Sequence, residues 1–116
     1  MKLDTLDMAL LFDFYGELLT EKQRLLFDQY YNQDYSLAEI AENEGISRQG
    51  VHDAIARAEQ ALQNFEACTG CLARHRRTEA ALEQIRLAAE TLENSTDPAA
   101  QAAGRQILST METIKE

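Results

Sequence analysis

The stretch that decides the fold is SLAEIAENEGISRQGVHDAI, residues 36–55. Ser36, followed three residues later by Glu39, forms a capping box, the pattern that begins a helix. Gly45 supplies a residue that can end this helix in a left-handed turn. Ser47 then offers a side-chain cap for a second helix. The stretch therefore predicts two helices joined by a tight turn, which is the helix-turn-helix arrangement.

The apolar and small residues of this stretch fit the same arrangement. Ile40 and Val51 would face one core from two crossing helices, and Ile55 would continue the buried side of the second helix. Ala41 is small where the second helix has to pass close by. Glu44 departs from the pattern, because an apolar residue is usual just before the turn. We therefore expect its carboxylate to reach solvent, since burying an unpaired charge is costly.

A helix-turn-helix places the start of its second helix toward the DNA major groove. The candidate nucleic-acid-binding residues are accordingly Ser47, Arg48, Gln49, His52 and Arg57. Arg reads guanine and Gln reads adenine by paired hydrogen bonds. The alternative is a helical hairpin that packs and binds no DNA. Residues 1–63 carry five basic and twelve acidic residues, a net charge of −7, whereas duplex binding depends on neutralising phosphates.

Two further helices are predicted before the motif. The first covers residues 4–18, weakened or stopped near Gly16, and its apolar stripe is Leu3, Leu6, Leu10, Phe14 and Leu18. Thr20 and Gln23 form another capping box, which begins a second helix. This helix is expected to bury Leu25 and Leu26, together with Phe27 or Tyr30. The aromatic group Phe27, Tyr30, Tyr31 and Tyr35 is interpreted as core and dimer-contact residues, because no Lys or Arg is interleaved for nucleic-acid stacking.

After the motif, the helical pattern continues and then thins. The fourth helix carries the stripe Val51, Ile55, Ala58, Leu62 and Phe65. A weaker seam, which a coiled coil would use, follows at Cys68, Cys71, His75, Thr78, Leu82, Ile85, Ala89 and Leu92, with Gly70 interrupting it. Asp97 and Pro98 begin a last helix over residues 98–115, whose predicted apolar face is Ala103, Ile107, Met111 and Ile114. We predict a helix-turn-helix domain over residues 1–65 and a helical extension over residues 66–116, which forms a homodimer or docks on the domain.

The composition favours an all-α protein. The chain of 116 residues has a net charge of −9, is 45% apolar, and contains one Pro and five Gly. No apolar run approaches the roughly 18 residues of a membrane span. The N-terminus has no signal-peptide pattern, so the two cysteines are expected to be reduced thiols. These features predict a cytoplasmic protein without membrane insertion.

The remaining motifs give weak chemical signals. Cys68, Cys71 and His75 are weak candidates for a metal site, but zinc needs about four ligands. Two half-buried thiols are the favoured interpretation, and a metal shared across a dimer or a redox pair are the alternatives. For the basic run over residues 74–77, the favoured interpretation is a solvated helix face that pairs with neighbouring carboxylates such as Glu79 and Glu83. Contact with RNA or with an acidic protein patch is the alternative. Neither a nucleophile with a matched base nor a phosphate loop is present. We therefore predict no enzymatic activity, no metal and no cofactor.

Residues 19–55, from LTEKQ to VHDAI, resemble region four of bacterial sigma factors. A closer resemblance covers residues 6 to about 65. The segments LFDFYGELLTEKQ (residues 11–23), YYNQDYSLAEIAE (residues 30–42) and SRQGVHD (residues 47–53) are similar to the YlxM family of small bacterial helix-turn-helix proteins. The matching motif positions are Ser36, Leu37, Glu39, Ile40, Ala41, Ser47, Arg48, Gln49, Val51 and Asp53.

The resemblance implies a fold and a pathway. It implies a four-helix bundle like sigma region four, without catalytic residues. The genes of the family lie beside those for the signal recognition particle protein Ffh and its receptor FtsY. We therefore expect a regulatory or accessory protein of this pathway, with Ffh, its RNA and FtsY as partners. The alternatives are a sequence-specific DNA-binding transcriptional regulator and a purely structural interaction module.

Overall fold

The computed structural model describes residues 5–115, which form six α-helices and no strand. The helices are α1 (Thr5–Tyr15), α2 (Glu21–Tyr31), α3 (Leu37–Glu44), α4 (Arg48–Thr69), α5 (Cys71–Glu93) and α6 (Pro98–Glu112). Short 3-10 turns follow α1 at Gly16–Leu18 and α6 at Thr113–Lys115. The predicted all-α class is confirmed. Leu3 and Asp4, which the predicted first helix included, lie outside the described residues.

Side-chain caps set the starts of α2 and α3. The Thr20 hydroxyl accepts a hydrogen bond from the Gln23 N–H, and the Gln23 side chain accepts one from the Thr20 N–H, both at 3.1 Å. Ser36 and Glu39 form the same reciprocal pair, also with both bonds at 3.1 Å. Both predicted capping boxes are therefore confirmed. Each box satisfies two backbone donors that the first helical turn leaves open.

Only part of the apolar stripe that predicted α1 forms its buried side, since Leu10 alone among the described members packs against the core. Leu6, Phe14 and Leu18 are 69%, 40% and 64% exposed. The buried residues are instead Met8, Leu11, Tyr15 and, just after the helix, Leu19. Apolar residues lie on all sides of α1, so two different stripes satisfy helical spacing. Periodicity cannot choose between them, because the choice depends on which side α2 and α4 contact.

The chain forms two compact units, the first ending at Leu72 and the second beginning at Ala73. In the first unit, Phe27 is fully buried. Its ring stacks on Phe12 at 4.8 Å and on Tyr31 at 4.3 Å between ring centroids. Leu25 is 44% exposed, contrary to the prediction, whereas Leu26 is buried. The aromatic residues are thus only partly core, since Phe27 is buried, Tyr31 is half-buried and both Tyr30 and Tyr35 are exposed.

A hydrogen-bonded junction ends α4 and begins α5. Gly70 adopts a left-handed conformation with φ 65°, which terminates α4. The buried Tyr15 hydroxyl donates to Glu66 Oε1 at 2.6 Å, and the Leu72 N–H donates to the same oxygen at 2.9 Å. The Cys71 N–H donates to the Tyr15 oxygen at 3.2 Å. Burial and the Glu66 carboxylate raise the pKa of Tyr15. The seam predicted from residue 68 to residue 92 is therefore divided between two helices.

In the second unit, α6 packs closely against α5 at a glycine. A Cβ atom on Gly104 would lie 2.5 Å from the Glu93 nitrogen and 2.6 Å from the Ala89 oxygen. Gly104 and Ala89 are buried, whereas Ala103, predicted to face the core, is exposed. The helices meet at backbone distance here, so a residue without a side chain occupies the contact.

The beginning of α6 follows the prediction. The Asp97 side chain accepts a hydrogen bond from the Ala99 N–H at 3.3 Å, and Pro98 occupies the first helical position.

On α5, Ile85 is 47% exposed and Leu92 is 38% exposed, so most of the predicted seam is open to solvent. None of the helices formed by residues 5–115 combines the length and the apolar character needed to cross a membrane.

Candidate nucleic-acid interface

The turn between α3 and α4 has the geometry that the sequence predicted. Gly45 ends α3 in the left-handed region, with φ 67°. The Ile46 N–H donates back to the Ala41 oxygen at 3.2 Å. The Ser47 hydroxyl accepts from the Gly50 N–H at 2.9 Å and so caps α4. The chain therefore reverses over a few residues with its terminal backbone groups hydrogen-bonded.

A small apolar core holds α3 and α4 in place. Ile40 and Val51 are fully buried, and Ile55 is 4% exposed. They share this core with Leu26 of α2, which fixes both helices of the motif to the rest of the unit. Glu44 is exposed, so its carboxylate reaches solvent as expected.

The side chains predicted to contact nucleic acid all lie on the surface of the motif. The exposed set is Ser47, Arg48, Gln49, His52 and Arg57. The Ser47 hydroxyl already serves as the helix cap, and the side chains of Gln49 and His52 contact Asp53. Within the described residues, the guanidinium groups of Arg48 and Arg57 form no hydrogen bond. Their contact with nucleic acid stays a prediction.

Asp53 lies on the same face, and its contact with Gln49 is a feature that sequence reasoning missed. The Gln49 side-chain amide donates to Asp53 Oδ1 at 2.9 Å, and His52 Nδ1 lies 3.5 Å from the same oxygen. The Gln49 hydrogen bond, followed by that of His52, lowers the pKa of Asp53. A carboxylate therefore lies among the predicted base-reading residues and occupies the Gln49 amide. The i, i+4 spacing of Gln49 and Asp53 is a signal that could have found this pair.

The rest of the motif surface is also acidic. Glu39, Glu42 and Glu44 are exposed on α3. Residues 36–57 carry four carboxylates and two arginines, a net charge of −2 with His neutral. In a helix-turn-helix complex the first helix crosses the DNA backbone. Carboxylates at that position repel phosphates and oppose the term that gives duplex binding most of its affinity.

The cysteines do not gather into a metal centre. Cys68 is exposed near the end of α4, and Cys71 is half-buried at the start of α5. Over residues 5–115, no three His, Cys, Asp or Glu side chains lie close enough together to hold a metal ion. The weak metal candidates Cys68, Cys71 and His75 thus gain no support from the structure.

Comparisons with known proteins agree on one family. A family model described as "Putative helix-turn-helix protein, YlxM / p13 like" matches residues 2–101, well past the end near Phe65 that the resemblance suggested. A UPF0122 protein of Thermoanaerobacter sp. (strain X514) is 49% identical over 96 residues, covering 82% of each chain.

Two further relatives extend the match. A UPF0122 protein of Symbiobacterium thermophilum is 47% identical over 102 residues, covering 88% of this chain and 95% of the relative. A UPF0122 protein of Listeria innocua is 41% identical over 108 residues, covering 93% of this chain and 91% of the relative. The chain therefore belongs to the UPF0122 family of YlxM/p13-like helix-turn-helix proteins.

Proposed function

We propose that the chain is a non-enzymatic accessory protein that binds a basic protein partner in the signal recognition particle pathway. The observation that carries the proposal is a well-formed helix-turn-helix with an acidic surface, centred on Asp53 and its hydrogen bond to Gln49. A duplex approaching this surface meets carboxylates on both helices, whereas a basic protein meets complementary charge. The pathway is supported by the family likeness alone, because the genes of the family lie beside those for Ffh and FtsY.

The net charge favours a protein partner over the RNA of the particle. At −9, the chain attracts basic surfaces over about one Debye length, roughly 8 Å at physiological salt. The same field repels a phosphate backbone. Basic faces of Ffh or FtsY are therefore the proposed partners, and the RNA is the less favoured one.

A sequence-specific transcriptional regulator is the second candidate. It is favoured by the capped start of α4 and by the exposed side chains of Arg48, Gln49 and His52. In this alternative, Gln49 leaves Asp53 to reach an adenine, and Arg48 reads a guanine. Replacing Arg48 and Gln49 by Ala would then abolish binding to one specific duplex.

The test is a pair of titrations at low and at physiological salt. The full chain is titrated with random duplex DNA and with the assembled signal recognition particle. The accessory function predicts tight particle binding, together with DNA binding that is lost as salt rises. It also predicts that Arg48→Ala with Gln49→Ala does not weaken particle binding, since this change removes a cation and keeps every carboxylate of the surface. The accessory function would be refuted if DNA binding survives physiological salt and if the Arg48→Ala, Gln49→Ala double variant loses that DNA binding.

We also propose that the helical extension pairs two chains into a homodimer. Ile85 and Leu92 on α5 are 47% and 38% exposed. They lie two helical turns apart on one side of the helix, and exposed apolar residues that share a side in this way mark interaction sites. Sedimentation equilibrium checks the proposal. Ile85→Glu should shift the chain to monomer, while the α6 surface change Ala103→Glu should not. A wild-type chain that stays monomeric up to millimolar concentration contradicts it.

A further inference from the structure

The outer side of α1 is an apolar surface that the first unit leaves uncovered. Apart from Thr5, Asp7 and Asp13, every residue of α1 is apolar. A helix that is apolar all round is normally buried all round. Leu6 is nevertheless 69% exposed, and Leu18, just beyond the helix, is 64% exposed. Exposed leucines at both ends of one short helix are costly in water, so they indicate a surface that a partner covers.

This apolar surface continues into the corner between α1 and α2. Two open depressions of about 410 Å³ each lie beside Phe12 and Arg24, which line both of them. Leu25, 44% exposed, lines the first depression, and Gly16 lines the second. A Cβ atom on Gly16 would lie 3.2 Å from the Phe12 ring, so the glycine keeps the second depression open beside that ring. The corner therefore offers recesses in which apolar side chains can be seated.

The rim of the corner is acidic. Asp13 and Glu17 line one depression, and Glu21 and Asp28 line the other, whereas Arg24 is the one cation among the residues lining either. These five charged residues sum to −3. Asp13, Glu17 and Glu21 form no ion pair with any residue in the described range 5–115. A second copy of the chain would bring like charges to this rim, which costs binding free energy, whereas a cationic partner would supply the missing counter-charges.

We propose that the outer side of α1 and the α1–α2 corner bind a basic amphipathic helix of a partner protein. The apolar residues of that helix contact Leu18 and Leu25, and its Lys or Arg residues pair with Glu17 and Glu21. A helix fits because the exposed surface from Leu6 to the end of α1 runs straight along a helix axis for about 13 Å. Side chains at i, i+3 and i+4 of a second helix match such a stripe. The inference rests on the proposed function, since it names the surface used by the basic partner.

The experiment uses the full chain and a designed probe. The probe is an 18-residue peptide of Leu and Lys, with leucines at i, i+3 and i+4 spacing, and its control replaces every Lys by Glu. Fluorescence anisotropy measures affinity, and amide chemical shifts map the contact. We expect the Leu/Lys peptide to bind with shifts on α1 and α2, and the Leu/Glu peptide not to bind. Leu25→Glu and Glu17→Lys should each weaken binding by about tenfold or more.

A matched variant separates this surface from general attraction to an acidic chain. Glu112→Lys on α6 changes net charge as Glu17→Lys does, and both residues are exposed, so neither change should unfold the chain. The Glu112 variant should bind within about twofold of wild type. Any one of three results would overturn the inference. These are equal losses of peptide affinity in the two charge-reversal variants, no binding of the Leu/Lys peptide to the wild type, and a wild-type dimer that Leu25→Glu converts to monomer.

The two proposals fail in different ways. If the signal recognition particle binds the wild type and both corner variants equally, the corner is not the docking surface, but the accessory function stands. If the Leu/Lys peptide maps to the corner while the particle does not bind, the surface is correct and the assigned pathway is wrong. Loss of particle binding in both corner variants, with retention in the Glu112 variant, supports both proposals.

Discussion

Replacing Gly104 by Ala tests the close packing of α5 and α6, because that packing decides whether the free energy of unfolding rises or falls. On an exposed helix position, Gly→Ala stabilises by about 1 kcal/mol, because Ala has the higher helix propensity. At Gly104, the added Cβ would lie 2.5 Å from the Glu93 nitrogen and 2.6 Å from the Ala89 oxygen. Both atoms belong to the backbone, so no side chain can rotate away. Relief requires the helices to separate by nearly 1 Å to restore ordinary contact.

The expected net effect is a loss of stability. Overpacking of a tight contact costs about 1–3 kcal/mol, and the gain in helix propensity returns about 1 kcal/mol. We therefore expect Gly104→Ala to lower the free energy of unfolding by up to about 2 kcal/mol, with a loss of helical signal from the second unit at lower denaturant concentration.

Urea unfolding followed by circular dichroism measures this change. The control is Ala103→Gly, the neighbouring exposed position on the same helix, which should cost about 1 kcal/mol from propensity alone. A Gly104→Ala variant that is more stable than wild type would show that α5 and α6 do not approach at backbone distance, and would refute the packing argument.

Three further predictions concern the first unit. Gly45→Ala should lower the free energy of unfolding by about 1–2 kcal/mol, because φ 67° is strained for Ala, although no atom lies within 4 Å of the added Cβ. Urea unfolding measures this loss, and Gly45→Asn should lose less stability. Tyr15→Phe should destabilise by about 1–3 kcal/mol, since Glu66 and the Cys71 N–H lose a partner; an unchanged unfolding midpoint would contradict it. The pKa values of Tyr15 and Tyr31 are raised, by burial first and then by a hydrogen bond to a carboxylate, so the stability they give is present below pH 10 and is lost as the pH rises further. A tyrosinate absorbance titration should lose its latest-ionising component in the Tyr15→Phe, Tyr31→Phe double variant.

Local chemistry was the part of the fold that the sequence could predict. The caps at Thr20 and Ser36 and the left-handed Gly45 depend on residues within four positions of each other. The buried side of α1 and the contact at Gly104 depend instead on distant segments. Glycine carries no apolar signal, so hydrophobic periodicity assigned the contact to Ala103 in place of its neighbour.

The candidate site shows the same division. Exposure of Arg48 and Gln49 followed from the position of the motif core, which the pattern of Ile40 and Val51 defined. The hydrogen bond from Gln49 to Asp53 could have been inferred from their i, i+4 spacing. The apolar corner beside Phe12 could not be predicted, because it arises where α1 and α2 meet, and their orientation is set by packing on α4, which is distant in the sequence.

Asp53 separates the needs of folding from those of recognition. Its side chain is 56% exposed, and an i, i+4 contact such as the one with Gln49 contributes only about 0.2–0.5 kcal/mol. The chain would fold almost as well with Asn or Ala at this position. Both residues would remove a negative charge, and Ala would also free the Gln49 amide. Folding thermodynamics therefore gives no reason for an aspartate here. We expect its negative charge to act instead on which molecules bind at α4, because it repels polyanions and shortens their residence time there.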